Sequence, residues 1–90
     1  MSYNSISVTT SATLIVSANP RRQSIIITNT DGTNKLYLGS DNNVTTSNGI
    51  EIGTSSSLTE DNGGSKVYCG PVYGIAGSTI NVRYWERTEQ

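Results

Sequence analysis

General acid–base catalysis at neutral pH usually recruits histidine, and this chain has none. Its many serine and threonine hydroxyls therefore lack the partner that ordinarily turns one of them into a nucleophile. A Ser–Lys pair would need Lys35 or Lys66, and no motif marks either. Glu51, Glu60 and Asp61 are the carboxylates nearest to forming a pair, but turn residues surround them, so they read as solvated loop charges. Cys69 is the only cysteine, so no internal disulfide can close and no zinc site can be assembled from one thiol without histidine. It alternates with Val67 and reads as a small buried hydrophobe. Ser40-Asp41-Asn42-Asn43 offers oxygens to calcium but lacks the acidic spacing of a known loop, and reads as an Asx-rich turn. Gly63-Gly64-Ser65-Lys66 lacks the first glycine of a phosphate-binding loop, and Asn43-Val44-Thr45 matches a glycosylation sequon by chance. We expect no catalytic residue, no metal and no cofactor, and hence no enzyme.

Binding residues are easier to nominate. Trp85 and Arg83 share strand parity, opposite Ile80 and Val82, and Trp and Arg are enriched at binding hot spots. Two readings of Trp85 stand: a binding contact, or ordinary core if the strand bulges or both its faces are covered. Arg21 and Arg22 follow Asn19-Pro20, where proline fixes one backbone angle and pre-organises a turn. Alternation sends the two arginines to opposite faces. One is thus free to contact a partner while the other serves the fold; the alternative is two solvated arginines on a loop.

These side chains must be positioned by strands. Period-two patterns dominate and no amphipathic helix is read. Residues 5–9 alternate and 12–17 continue extended. Residues 23–29 hold three consecutive isoleucines, which predicts a central strand buried on both faces. Asp31-Gly32 predicts a hairpin turn returning through 35–38. Val44 is an apolar anchor in the polar stretch 39–49, and Ile50 and Ile52 begin the second half. Asp61-Asn62-Gly63-Gly64 is a further turn; 66–69 and 72–76 read as short strands around Gly70-Pro71, and 79–86 alternates cleanly.

The fold expected is all-β, a small antiparallel sandwich or barrel of about six to eight short strands, with Ile25, Ile27, Leu36, Leu38, Ile80 and Val82 inward. Residues 12–86 make the single domain, 1–11 an N-terminal arm outside the compact core, and 87–90 a C-terminal tail. Only 33% of residues are hydrophobic and phenylalanine is absent, so the core is thin and oligomerisation or docking is expected to supplement it. A formal net charge of −1, with 14% charged residues, gives no nucleic-acid footprint. No apolar run is long enough for a membrane helix, and the Met1-Ser2-Tyr3-Asn4 start shows no secretory signal, so synthesis in a cytoplasm is expected.

From Asn19-Pro20-Arg21-Arg22 through Gln23-Ser24-Ile25-Ile26-Ile27-Thr28-Asn29, the chain resembles small bacteriophage virion structural proteins. In those an Asn-Pro-x-Arg turn leads into an aliphatic strand ending in Asn. The likeness continues through Leu36-Tyr37-Leu38-Gly39, Val44-Thr45-Thr46, Asn48-Gly49-Ile50, Val72-Tyr73-Gly74-Ile75-Ala76 and Val82-Arg83-Tyr84, and so covers most of 19–86. It departs at Gly53, where a Ser/Thr run follows, and at Gly70-Pro71. The resemblance places the bracing arginine of the turn at Arg22, whose planar guanidinium can tie several loop carbonyls at once, and so leaves Arg21 as the outward, capsid- or neighbour-facing charge. It implies a capsid decoration (cement) protein on the capsid exterior. The implied partners are the major capsid protein or another virion protein, and itself as a homotrimer. The alternative is a carbohydrate- or receptor-binding module of a head or tail fibre, with Tyr37, Tyr68, Tyr73 and Trp85 stacking on sugars.

Overall fold

A computed structural model of the chain describes residues 2–61 and 67–88. Among these are eight strands and no helix: β1 (Ser2–Val8), β2 (Thr13–Val16), β3 (Arg22–Asn29), β4 (Leu36–Gly39), β5 (Ile50–Ile52), β6 (Ser57–Asp61), β7 (Val72–Ala76) and β8 (Ile80–Thr88). They pair antiparallel into two four-stranded sheets, ordered β1-β8-β3-β6 and β2-β7-β4-β5. The chain is a small all-β sandwich. Only β4 and β5 follow one another within a sheet; every other connection between the described strands crosses to the opposite sheet.

The core lies between the sheets and is built by alternation. Ile25, Ile27, Leu36, Leu38, Ile80 and Val82 all face inward and are buried, joined by Val8, Ile52, Val72 and Ala76. One pair breaks the rhythm. The β2–β7 ladder slips between Leu14 and Val16, so Ile15 and Val16 are both buried. An extra residue in one strand re-aims the side chains around it. Gly74 makes the room for this, because a methyl there would lie 2.6 Å from Ile15 Cδ1. Val44, the anchor expected in the long loop, is buried against Gly39.

Several expectations are corrected. The expected arm is for the most part a strand: β1 pairs with β8 from Ser2↔Glu86 to Val8↔Ile80, and Val8 is fully buried, while Met1 lies outside the described residues. The alternation of Ile6 and Val8 is what docks it. Of the expected tail, Arg87 and Thr88 belong to β8, and 89–90 lie outside the described residues. Asp31-Gly32 does not close a hairpin, because β3 and β4 lie in different sheets and Gly32 is not in the left-handed region. The Asp31 carboxylate instead caps the amides of Thr33 and Asn34 at 2.9 and 2.6 Å, a turn that carries the chain across the sandwich. Residues 67–69 form no strand. The turn at 61–64 and Lys66 fall largely outside the described residues. β3 is central, as expected, but its outer face is open rather than buried: Ile26 is 38% exposed.

Candidate functional site

Asn19 and Pro20 begin a four-residue turn in which the Arg22 amide donates to the Asn19 carbonyl at 3.1 Å, with proline in the position whose φ it pre-sets. The Asn19 side-chain oxygen accepts from the Arg21 amide at 3.0 Å, and its own amide donates to the Cys69 carbonyl at 2.8 Å. Strict alternation back from inward Ile25 would turn Arg22 outward. The β3–β8 ladder slips between Arg22 and Ser24, and this one-residue bulge points the guanidinium into the sandwich.

Buried there, Arg22 donates from Nε to Glu86 Oε2 at 2.7 Å. Nη1 donates to the carbonyls of Tyr68 and Gly70 at 2.8 and 3.0 Å, and Nη2 to that of Ser17 at 2.8 Å. Its fork thus joins β8 to the 17–20 and 68–70 segments. Burying two charges is costly, but this pair is bonded on most sides and no described buried side-chain polar atom lacks a partner. Asn29 does similar work at the other end of β3. Fully buried, it donates to the carbonyls of Asn34 and Gly53 at 2.9 and 3.2 Å and accepts from the Asp31 amide at 3.0 Å. Cys69 is half-buried in a loop, its thiol 3.5 Å from the Val67 carbonyl. These groups are structural: each is committed to holding a crossing between sheets.

The outer face of β1-β8-β3-β6 is different. Register aligns Tyr3, Trp85, Ile26 and Thr59 in one row across all four strands. Tyr3 is 80% and Trp85 50% exposed, so Trp85 is surface and not core. The next row holds Ser5, Arg83, Thr28 and Ser57, with Arg83 exposed. On the other side of Trp85, Arg87 is exposed opposite Ser24. A hollow of about 530 Å³ opens beside Tyr3, Arg83 and Trp85. The face therefore brings together Arg83 and Trp85, two of the three nominated interface residues. Arg21 stands apart: exposed at the turn, it precedes β3 and has no place in the sheet register. Sequence reasoning missed Tyr3 and Ile26. Tyr3 was assigned to an arm, and the isoleucine run was taken as covered on both sides.

Other features do not converge on chemistry. The opposite face carries Tyr37 and Tyr73, on β4 and β7, while Tyr68 folds over Gly70 and donates to the Pro71 carbonyl at 2.6 Å. The aromatic rings nominated for sugar stacking thus lie in three places. Glu60 accepts from the Tyr68 amide at 2.7 Å, and Glu51 pairs with Lys35 at 2.6 Å on the surface, holding the Lys35 ammonium above its usual range. Among the described residues no group of carboxylates or thiols could hold a metal. Between edge strands β5 and β6 the sandwich gapes into an apolar cleft of about 390 Å³, lined by Ile50 and Leu58. No family model, no curated protein and no solved structure matches the chain.

Proposed function

We propose that the chain is a non-enzymatic virion structural protein of a bacteriophage, a decoration protein that binds and stabilises the assembled head from outside. The observation that carries a docking role is the Tyr3–Trp85–Ile26 row with Arg83 beside it, on a continuous four-stranded sheet. Rigid aromatic rings and arginine are the side chains that dominate protein–protein contacts. A sandwich whose crossings are clamped by Arg22 and Asn29 presents that face without reorganising, which lowers the cost of binding. The virion setting rests on the likeness of 19–29 and its continuations to small phage structural proteins. Many copies on a shell let each contact be modest. The partners in this reading are the major capsid protein or another virion protein and, through trimerisation, the chain itself.

A carbohydrate-binding fibre module is the weaker reading, because its aromatic residues are spread over both faces. Mass-spectrometric inventory of purified virions, followed by cryo-electron microscopy, tests the setting; absence from the particle sinks it. Trp85→Ala should weaken particle binding by at least about 2 kcal/mol while leaving the urea midpoint nearly unchanged. Unchanged binding by the folded variant would remove this face from the docking role.

A further inference from the structure

The face that carries Trp85 also carries two of the chain's six basic residues. Arg83, Trp85 and Arg87 alternate along β8 and so project from one side of the sheet, with the arginines about 13 Å apart and the indole midway. Their register partners on that face are Ser5, Thr28 and Ser24, and no described side chain bonds either guanidinium. Elsewhere the acids whose side chains are described are occupied; Asp61, which shares the Ser24 register with Arg87, is not among them. Glu86 holds Arg22, Glu51 holds Lys35, Glu60 accepts from the Tyr68 amide, and Asp31 and Asp41 cap amides of their own loops.

We infer that the outer face of β1-β8-β3-β6 docks an acidic protein surface, one that sets carboxylates over Arg83 and Arg87 and seats an apolar group against Trp85 between them. This rests on the reading of that face as the docking face and adds the chemistry of its partner. A second copy of the chain fits poorly. Face to face it would set arginine near arginine, and the acids whose side chains are described are already engaged. A sugar would use the Tyr3–Trp85 pair and leave Ile26 uncovered. Nucleic acid asks for a continuous basic track, whereas here two cations stand about 13 Å apart.

Trp85 is the only tryptophan, so its emission reports contact at the face itself. The test titrates the intact protein with a random Glu–Tyr copolymer, poly-glutamate, polygalacturonate and a dT20 oligonucleotide, exciting the indole selectively. The copolymer should shift the emission and bind at least about tenfold more tightly than the other three. Arg83→Ala/Arg87→Ala should weaken copolymer binding by about tenfold and flatten its salt dependence, with the urea midpoint held. Equal or tighter binding of polygalacturonate or dT20 assigns the face to a glycan or a nucleic acid and overturns the inference. So does copolymer binding indifferent to both arginines, or no copolymer binding. If particle docking depends on Trp85 while the arginine pair is silent, the partner chemistry fails and the docking reading stands. If particles do not carry the protein, the reading itself fails.

Discussion

At the scale of residues, two buried polar side chains, Arg22 and Asn29, tie the crossings at either end of β3. Arg22→Lys keeps a positive charge but cannot reach Glu86 and the carbonyls of Ser17, Tyr68 and Gly70 together. Leaving buried acceptors without donors should cost on the order of 3 kcal/mol, read as a lower urea midpoint at unchanged slope. Glu86→Gln should cost a similar amount, because it leaves the guanidinium buried opposite a neutral group. Two near-neutral results would show that the clamp contributes little. Asp31 provides a pH dependence of known sign. Amides of Asn34 first, and Thr33 next, hold its carboxyl below the usual carboxylate range. The folded chain therefore binds that proton less readily than the unfolded one. The ionised group adds stability above the ordinary aspartate pKa, and this is lost as pH falls through its lowered folded value. Asp31→Asn should flatten that acid limb in urea titrations taken from neutral to strongly acidic pH; an identical limb would exclude Asp31 as its source.

At the scale of elements, the inward set of β3, β4 and β8 was legible because a half-buried strand writes its burial with period two. Sheet membership was not. Asp-Gly marks a reversal equally well whether the chain pairs with itself or crosses to the other sheet, and here Asn29 and Asp31 steer it across. β1 alternates over only a short stretch, through Ile6 and Val8, and its docking depends on the distant partner β8, which no local pattern encodes. The exposed face around Trp85 was half legible. Parity gave Arg83 and Trp85, while Tyr3 and Ile26 enter only through cross-strand register, which no local pattern encodes. Arg22's role came from likeness rather than from alternation, and only the bulge at Gln23 explains how it points inward. Bulges yield a prediction in β2 as well. Gly74→Ala sets a methyl against Ile15 Cδ1 and, at 3.1 Å, Leu36 Cδ1, so it should destabilise by about 1–3 kcal/mol. Ile15→Ala in the same chain should recover part of that loss if crowding is the cause; simple additivity of the two would argue for another origin.

At the scale of the whole molecule, β8 and β3 are central in their sheet, while β5 and β6 are edges that flank the open cleft. Amide exchange should accordingly be slowest in β3 and β8 and fastest in β5, and a reversed order would mean that the sheet opens elsewhere. The crossings have a further consequence, for the time the chain takes to fold. Only the β4–β5 pairing joins neighbours in sequence; β1 must find β8, the far end of the chain, and β3 must find both β6 and β8. Each long loop loses its freedom before the contacts it brings together can repay the loss, so the search is slow relative to helical domains of this size. Refolding after rapid dilution from urea should take milliseconds to seconds, with the rate set by late arrival of β1 on β8. Stopped-flow emission of Trp85, which sits beside Tyr3 at that junction, would follow the event directly. A nascent chain of this topology can complete the β2-β7-β4-β5 sheet once β7 has emerged from the ribosome, but not the β1-β8-β3-β6 sheet until β8 has. Until then the inner faces of β3 and β4 stand uncovered, and synthesis itself becomes the interval in which the protein is most exposed to aggregation.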